Sequence, residues 1–280
     1  MSTIRRLHAV VRPLDVAAVL AVPAVLLLVF ALPATTRESL ALSAASPTVV
    51  SAYTAHLVHL TPGHLIGNLA VYAIAVPPAY LLAVLGDSRR AFLTPFVGVL
   101  VSFPFVLSAL YLLLGGGGRV LGFSGLNMAF VGMVPLFETV YLSRLDGGVR
   151  LDHAPAFFFA GAAVIAVKVV PGGLVRTALA LGAALVALAY AAYAYRGLAG
   201  GTFRDLAGRP GGFELAAGAA VVFFAAVFVA FPANPVRSAG VVDVYTHFLG
   251  YALGFVSTYL LLRTDDPTDR IPDPPADTSE

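Results

Sequence analysis

The sequence predicts an all-α polytopic membrane protein, on three observations. Hydrophobic residues fill 59% of 280 positions and charged residues only 11%, whereas a soluble domain carries about 25% charged residues. Mean hydropathy is +0.89. Long apolar windows alternate with short polar segments, and the Arg residues collect in those segments. Such a chain lacks the polar surface to face water all round.

A bilayer core of about 30 Å takes about 20 helical residues, so mostly apolar windows of that length are candidate spans. About eight occur: Leu14–Leu32, His64–Gly86, Ala91–Leu114, Leu121–Ser143, Pro155–Val170, Leu174–Tyr195, Phe213–Phe231 and Val241–Leu262. The first follows Arg5, Arg6 and Arg12 as a signal peptide would, but its apolar stretch exceeds the usual 7–15 residues of such a segment. It reads as an uncleaved span. The fifth is short. Pro23, Pro77, Pro78, Pro95, Pro104 and Pro135 fall inside spans, where neighbouring helices can re-satisfy the freed carbonyls.

Basic residues set orientation, because they are retained on the cytoplasmic side. With the N-terminus inside, twelve Arg residues fall in inner segments, and four Arg plus Lys168 fall in outer ones. Both termini are therefore expected in the cytoplasm of a multi-pass cell-membrane protein. Residues 1–13 form a short inner segment, 14–263 the membrane domain, and 264–280 an Asp- and Pro-rich tail expected to be disordered. No soluble second domain or internal repeat is visible. A net charge of +2 gives no case for nucleic acid, and the absence of Cys removes disulfides, thiolate zinc sites and thiol nucleophiles.

Strongly polar side chains within spans are costly and mark candidate sites. His64 and Asn68 open the second window, Ser124 the fourth, and His247 lies early in the eighth. These windows share parity, so all four residues fall near the outer ends of their helices. Ser124 is about three residues into its window and His247 about six, placing both roughly 5–10 Å deep at ~1.5 Å per residue. His64 and Asn68, four apart, share one helix face. Gly122-Phe123-Ser124-Gly125 puts a hydroxyl at a helix start, where free N–H groups favour negative charge. Gly250 and Gly254 behind His247 form a small-residue stripe on which another helix can pack closely. His59 suits a structural place at the helix start as well as a functional one, and His56 suits an outer loop. Asp243, four before His247, suits an N-cap, and Lys168 an end that reaches the headgroups.

At these residues the chain resembles the rhomboid family of intramembrane serine proteases. His59-x-x-x-x-His64-x-x-x-Asn68, Gly122-x-Ser124-Gly125 followed by Ala129 and Gly132, and His247-x-x-Gly250-x-x-x-Gly254 match the family's motifs in order. The resemblance covers about His56 to Leu262 without matching the helices in between. It implies a rhomboid-like bundle with a six-helix core plus two extra spans. The family has one helix between those carrying serine and histidine, whereas three are expected here, which preserves parity. The family's Trp-Arg pair is absent, since the chain has no Trp. Met128 stands where many members place a Tyr that stacks on the histidine.

The resemblance further implies a Ser124–His247 dyad without a carboxylate, an oxyanion held by the Ser124 N–H with His64 and Asn68, and no metal or organic cofactor. Its substrates would be membrane proteins with a transmembrane segment. Read alone, Ser124 equally suits a helix crossing, and His64 with Asn68 an interhelical polar pair. A non-catalytic rhomboid-like protein that binds or escorts other spans fits the same architecture, although such relatives typically lack the serine or the histidine. A small-solute transporter predicts polar residues at the bilayer midplane and at a repeat interface; neither pattern is present. No H-E-x-x-H and no pair of intramembrane aspartates points to another protease class.

Overall fold

The structure is a computed structural model that describes residues 10–145, 148–197, 212–231 and 243–264, with two-residue strands at 236–237 and 240–241. Residues 1–9, with His8, and the expected tail beyond Thr264 lie outside the described residues.

Helix α1, Pro13–Phe30, starts on a proline, whose missing N–H is no loss in a first turn. A short α2, Ala34–Ser39, leads to strand β1, Leu42–Ser43, and to α3, Val49–Thr54. Thr48 and Ser51 exchange side-chain and main-chain hydrogen bonds in a capping box that starts α3. A 3₁₀ turn, Ala55–Leu57, precedes α4, Pro62–Leu85, where Thr61 accepts from the His64 N–H. Then come α5, Arg89–Leu113, strand β2, Arg119–Val120, and α6, Ser124–Leu145. A second 3₁₀ turn, Leu151–His153, leads to α7, Pro155–Val169, followed by α8, Leu174–Gly197. The chain ends in α9, Gly212–Ala230, strands β3, Val236–Arg237, and β4, Gly240–Val241, and α10, Val244–Thr264.

Six helical stretches among the described residues are long and apolar enough to cross a membrane: Pro13–Phe30, Pro62–Leu85, Arg89–Leu113, Ser124–Leu145, Leu151–Val169 and Leu174–Arg196. The chain is therefore a multi-pass helical membrane protein. Of the two remaining windows, α9 carries a shorter apolar stretch, Glu214–Ala230. Helix α10 has 21 residues, about 31 Å of helix, but its Thr, His, Ser and Arg side chains dilute its hydropathy. The short strands interrupt the expected all-helical pattern only locally. Antiparallel β1 and β2 pair Leu42 with Val120 and so pin the first outer loop against the segment entering α6.

Helix α6 is the core: 89% of its apolar window is buried, against none of that of α8, whose apolar side chains face outward as lipid requires. Around α6 pack α4, α5, α9 and α10. Its crossing with α10 is made of missing side chains. A Cβ at Gly250 would lie 3.1 Å from the Gly125 carbonyl carbon, one at Gly254 2.5 Å from the Ala129 Cα, and one at Gly132 2.9 Å from the Phe255 nitrogen. Residue numbers rise together along both helices, so α6 and α10 run parallel. Helix α4 does too, with His64 against Gly122 and Asn68 against Asn127. All three begin at the same end of the bundle.

The opposite end holds the charge pairs. Asp15 of α1 accepts from Arg89 Nε at 2.6 Å and from the Tyr80 hydroxyl at 2.8 Å, buried between α4 and α5. Arg263 pairs with Asp152, joining α10 to the turn before α7. Lys168 does more than reach outward. Its ammonium lies 3.3 Å from the centroid of the Phe228 ring and donates to the Phe228 carbonyl, holding the last turn of α9 against α7.

Gly254→Val forces a side chain into the Ala129 backbone, and overpacking of this kind costs about 1–3 kcal/mol or more. Thermal unfolding in detergent is expected to show a large fall in melting temperature. Gly182→Ala on outward-facing α8, where an added Cβ meets nothing within 4 Å, is expected to match or exceed the parent.

Candidate functional site

Where α4, α6 and α10 begin, a cavity of about 1360 Å³ opens, and His64, Asn68, Ser124 and His247 all line it. Ser124 is the first residue of α6 and His247 the fourth of α10. Both helices start about three residues later than expected, so the hydroxyl and the imidazole occupy the first turns. The depth expected for them within the helices is corrected accordingly. Among the described residues no hydrogen bond joins Ser124 to His247; the cavity and the crossing at Gly125 and Gly250 are what bring them together.

The first turn of α6 is an anion-favouring end. Its ladder begins with the Asn127 N–H donating to the Phe123 carbonyl at 2.9 Å, which leaves the Ser124, Gly125 and Leu126 N–H groups ahead of it. The approach to Ser124 is fixed by the loop after α3. Gly122 donates to the Ala55 carbonyl at 2.9 Å, and the Phe123 N–H donates to His59 Nε2 at 3.5 Å. Gly122 has φ +111°. A Cβ there would sit 2.7 Å from His64 Nε2, so glycine is required by both conformation and space. His59 donates from Nδ1 to the Leu57 carbonyl at 3.3 Å, and Arg37 donates to the carbonyl of His59. The His59 and His64 rings meet edge-on at 4.8 Å. His59 is thus a strut under the turn before Ser124. His56 is buried rather than exposed in its loop, with Nε2 3.0 Å from the Pro104 carbonyl.

His247 is oriented by main chain. Its Nδ1 lies 3.0 Å from the Ala230 carbonyl. A carbonyl only accepts, so Nδ1 carries the hydrogen and Nε2 keeps the lone pair. Ala230 ends α9, where unpaired carbonyls and the negative end of the helix dipole gather. The Phe231 ring meets the imidazole edge-on at 5.9 Å. Asp243 does not bond the ring. It caps α10 instead, accepting from the Thr246 N–H at 3.0 Å and from the Thr246 hydroxyl, as an N-cap does.

Sequence reasoning missed Asn127. It lies one turn after Ser124, is buried, and donates from Nδ2 to the Asn68 carbonyl at 2.9 Å and to Asn68 Oδ1 at 3.0 Å. An amide three residues beyond the serine in an otherwise apolar run was the available signal. Glu138, also buried and polar, is about 21 Å further along α6 and does not line the cavity.

Burial pushes both His56 and His59 down to about 4, with the nearby His64 adding to the shift of His59. Unfolded, each titrates near 6.5. The unfolded chain therefore binds more protons between these values, and stability present above about pH 6.5 is lost as pH falls towards 4. The loss is about 1.4 kcal/mol per pH unit per histidine. Melting temperature in detergent is expected to fall from pH 7 to pH 5, and His56→Gln to flatten that dependence.

No protein-family model, no curated protein and no solved structure matches the chain.

Proposed function

We propose that the chain is a rhomboid-type intramembrane serine endopeptidase that cleaves transmembrane segments of membrane proteins. The observation that carries this reading is the shared cavity: the four side chains of three separate motifs line one space at the common start of three parallel helices. In this reading α9 and α10 are the seventh and eighth spans, both termini are cytoplasmic, and the cavity opens beneath the outer leaflet of the cell membrane. The Arg-rich end, with Arg89, Arg144 and Arg263, lies opposite the cavity, in keeping with that orientation.

His247 Nε2 takes the Ser124 proton as Oγ attacks the scissile carbonyl carbon. The oxyanion is held by the Ser124 N–H, His64 and Asn68, groups set in place before charge develops. Nε2 then returns the proton to the departing amine, leaving an ester on Ser124. Water attacks that ester with His247 again as base, releasing the acid. The Ala230 carbonyl supplies what a carboxylate supplies in a triad: it fixes the tautomer and faces the imidazolium as it forms. It thereby also answers for the ring support lost with Met128. Hydrogen bonds between nucleophile and base are often long in empty sites and tighten with substrate. The presence of both dyad residues favours this reading over a non-catalytic binding protein.

Reconstituted with a single-span reporter, the parent is expected to cleave, and Ser124→Ala and His247→Ala to fall to background. Asn68→Ala is expected to lose ~10²–10³ in rate, as for one oxyanion donor. Cleavage undiminished in both dyad variants would remove the assignment.

A further inference from the structure

Two amides meet at the floor of the cavity, and their polarity is fixed by main chain. Asn127 Nδ2 lies 2.9 Å from the Asn68 carbonyl, which only accepts, so this end of Asn127 is its NH₂. The same nitrogen lies 3.0 Å from the other oxygen, Asn68 Oδ1. Asn68 in turn directs Nδ2 to the His64 carbonyl at 3.0 Å, again an acceptor only. Neither amide can be turned over without setting two acceptors against each other. With its oxygen engaged by Asn127 and one N–H by His64, Asn68 keeps one N–H for the cavity it lines.

A second observation bears on why an asparagine is there. Asn127 is 1% exposed, and its Oδ1 has no partner among the described residues. A buried acceptor left unpaired is a cost, and Leu126 and Met128 on either side show that apolar side chains suit this turn of α6. The amide is therefore poorly explained by stability.

We infer that Asn127 is a positioning residue for the cleavage reaction: by occupying Asn68 Oδ1 it keeps Asn68 turned as a donor towards the oxyanion. The inference rests on the protease reading. Without Asn127, Asn68 Oδ1 is buried and unpaired, and the amide rotates to offer that oxygen to water in the cavity. The donor is then withdrawn, and a lone pair faces the developing charge.

The test is a double-mutant cycle in the reconstituted cleavage assay with Ser124→Ala, Asn68→Ala, Asn127→Leu and the Asn68→Ala/Asn127→Leu pair, with Asn127→Ala as the second truncation. Asn127→Leu is expected to lower kcat about tenfold or more, with KM little changed and no more loss than the ~10²–10³ of Asn68→Ala. Its melting temperature is expected to equal or exceed the parent's, since an unpaired acceptor is removed. The pair is expected to be no slower than Asn68→Ala alone, because Asn127 acts only through that residue. Parent-like rates in both Asn127 variants, or losses that multiply in the pair, overturn the inference and leave the protease reading intact. Cleavage that survives Ser124→Ala overturns both.

Discussion

Two helices approach to backbone contact only where side chains are missing, and the architecture depends on one such approach. Between lipid-facing helices the hydrophobic effect offers little net gain, since acyl chains are as apolar as leucine, so close packing and hydrogen bonds must hold them. Gly125, Ala129 and Gly132 of α6 receive Gly250, Tyr251, Gly254 and Phe255 of α10 at main-chain distance. That contact sets the register between a serine and a histidine more than a hundred residues apart. It also makes α6 the most buried helix, around which the others are arranged.

The cavity end is organised differently. There the main chain leaves its helices and must satisfy its hydrogen bonds by other means. The Ala55 carbonyl, His59, Arg37 and the β1–β2 pair meet that need around Gly122 and Phe123. The result is a rigid approach to the first turn of α6. Lys168 plays a similar part on the far side, fixing the last turn of α9, from which Ala230 reaches His247. The residues proposed for chemistry are thus each held by an element that is itself tied down.

Polar groups in the interior follow one economy. Asn68, Asn127, His59 and His247 spend their capacity mainly on main-chain carbonyls and N–H groups. Carbonyls accept only, so such bonds fix tautomers and amide orientations that side-chain partners would leave open. The ion pairs Asp15–Arg89 and Asp152–Arg263 sit at the opposite end, where water and headgroups limit the cost of charge.

The membrane class, the approximate spans and the shared end of His64, Asn68, Ser124 and His247 were legible in the sequence. Length and hydropathy are local properties, and parity needs only counting. Gly250 and Gly254 announced a close crossing, and Asp243 its cap. Other features depended on contacts between distant segments. No periodicity assigns Ala230 to His247, because a carbonyl has no sequence signature and its position follows from where α9 ends. Asn127 could be read as polar, but its role as partner of Asn68 needs the α4–α6 register. Helix starts at Ser124 and Val244 escaped hydropathy because apolar loop residues continue the windows upstream. Composition and spacing determined that the chain crosses a membrane and which side chains share a level within it. Only tertiary packing decided which of them touch, since hydrogen bonds act over about 3 Å and hydropathy over whole helices.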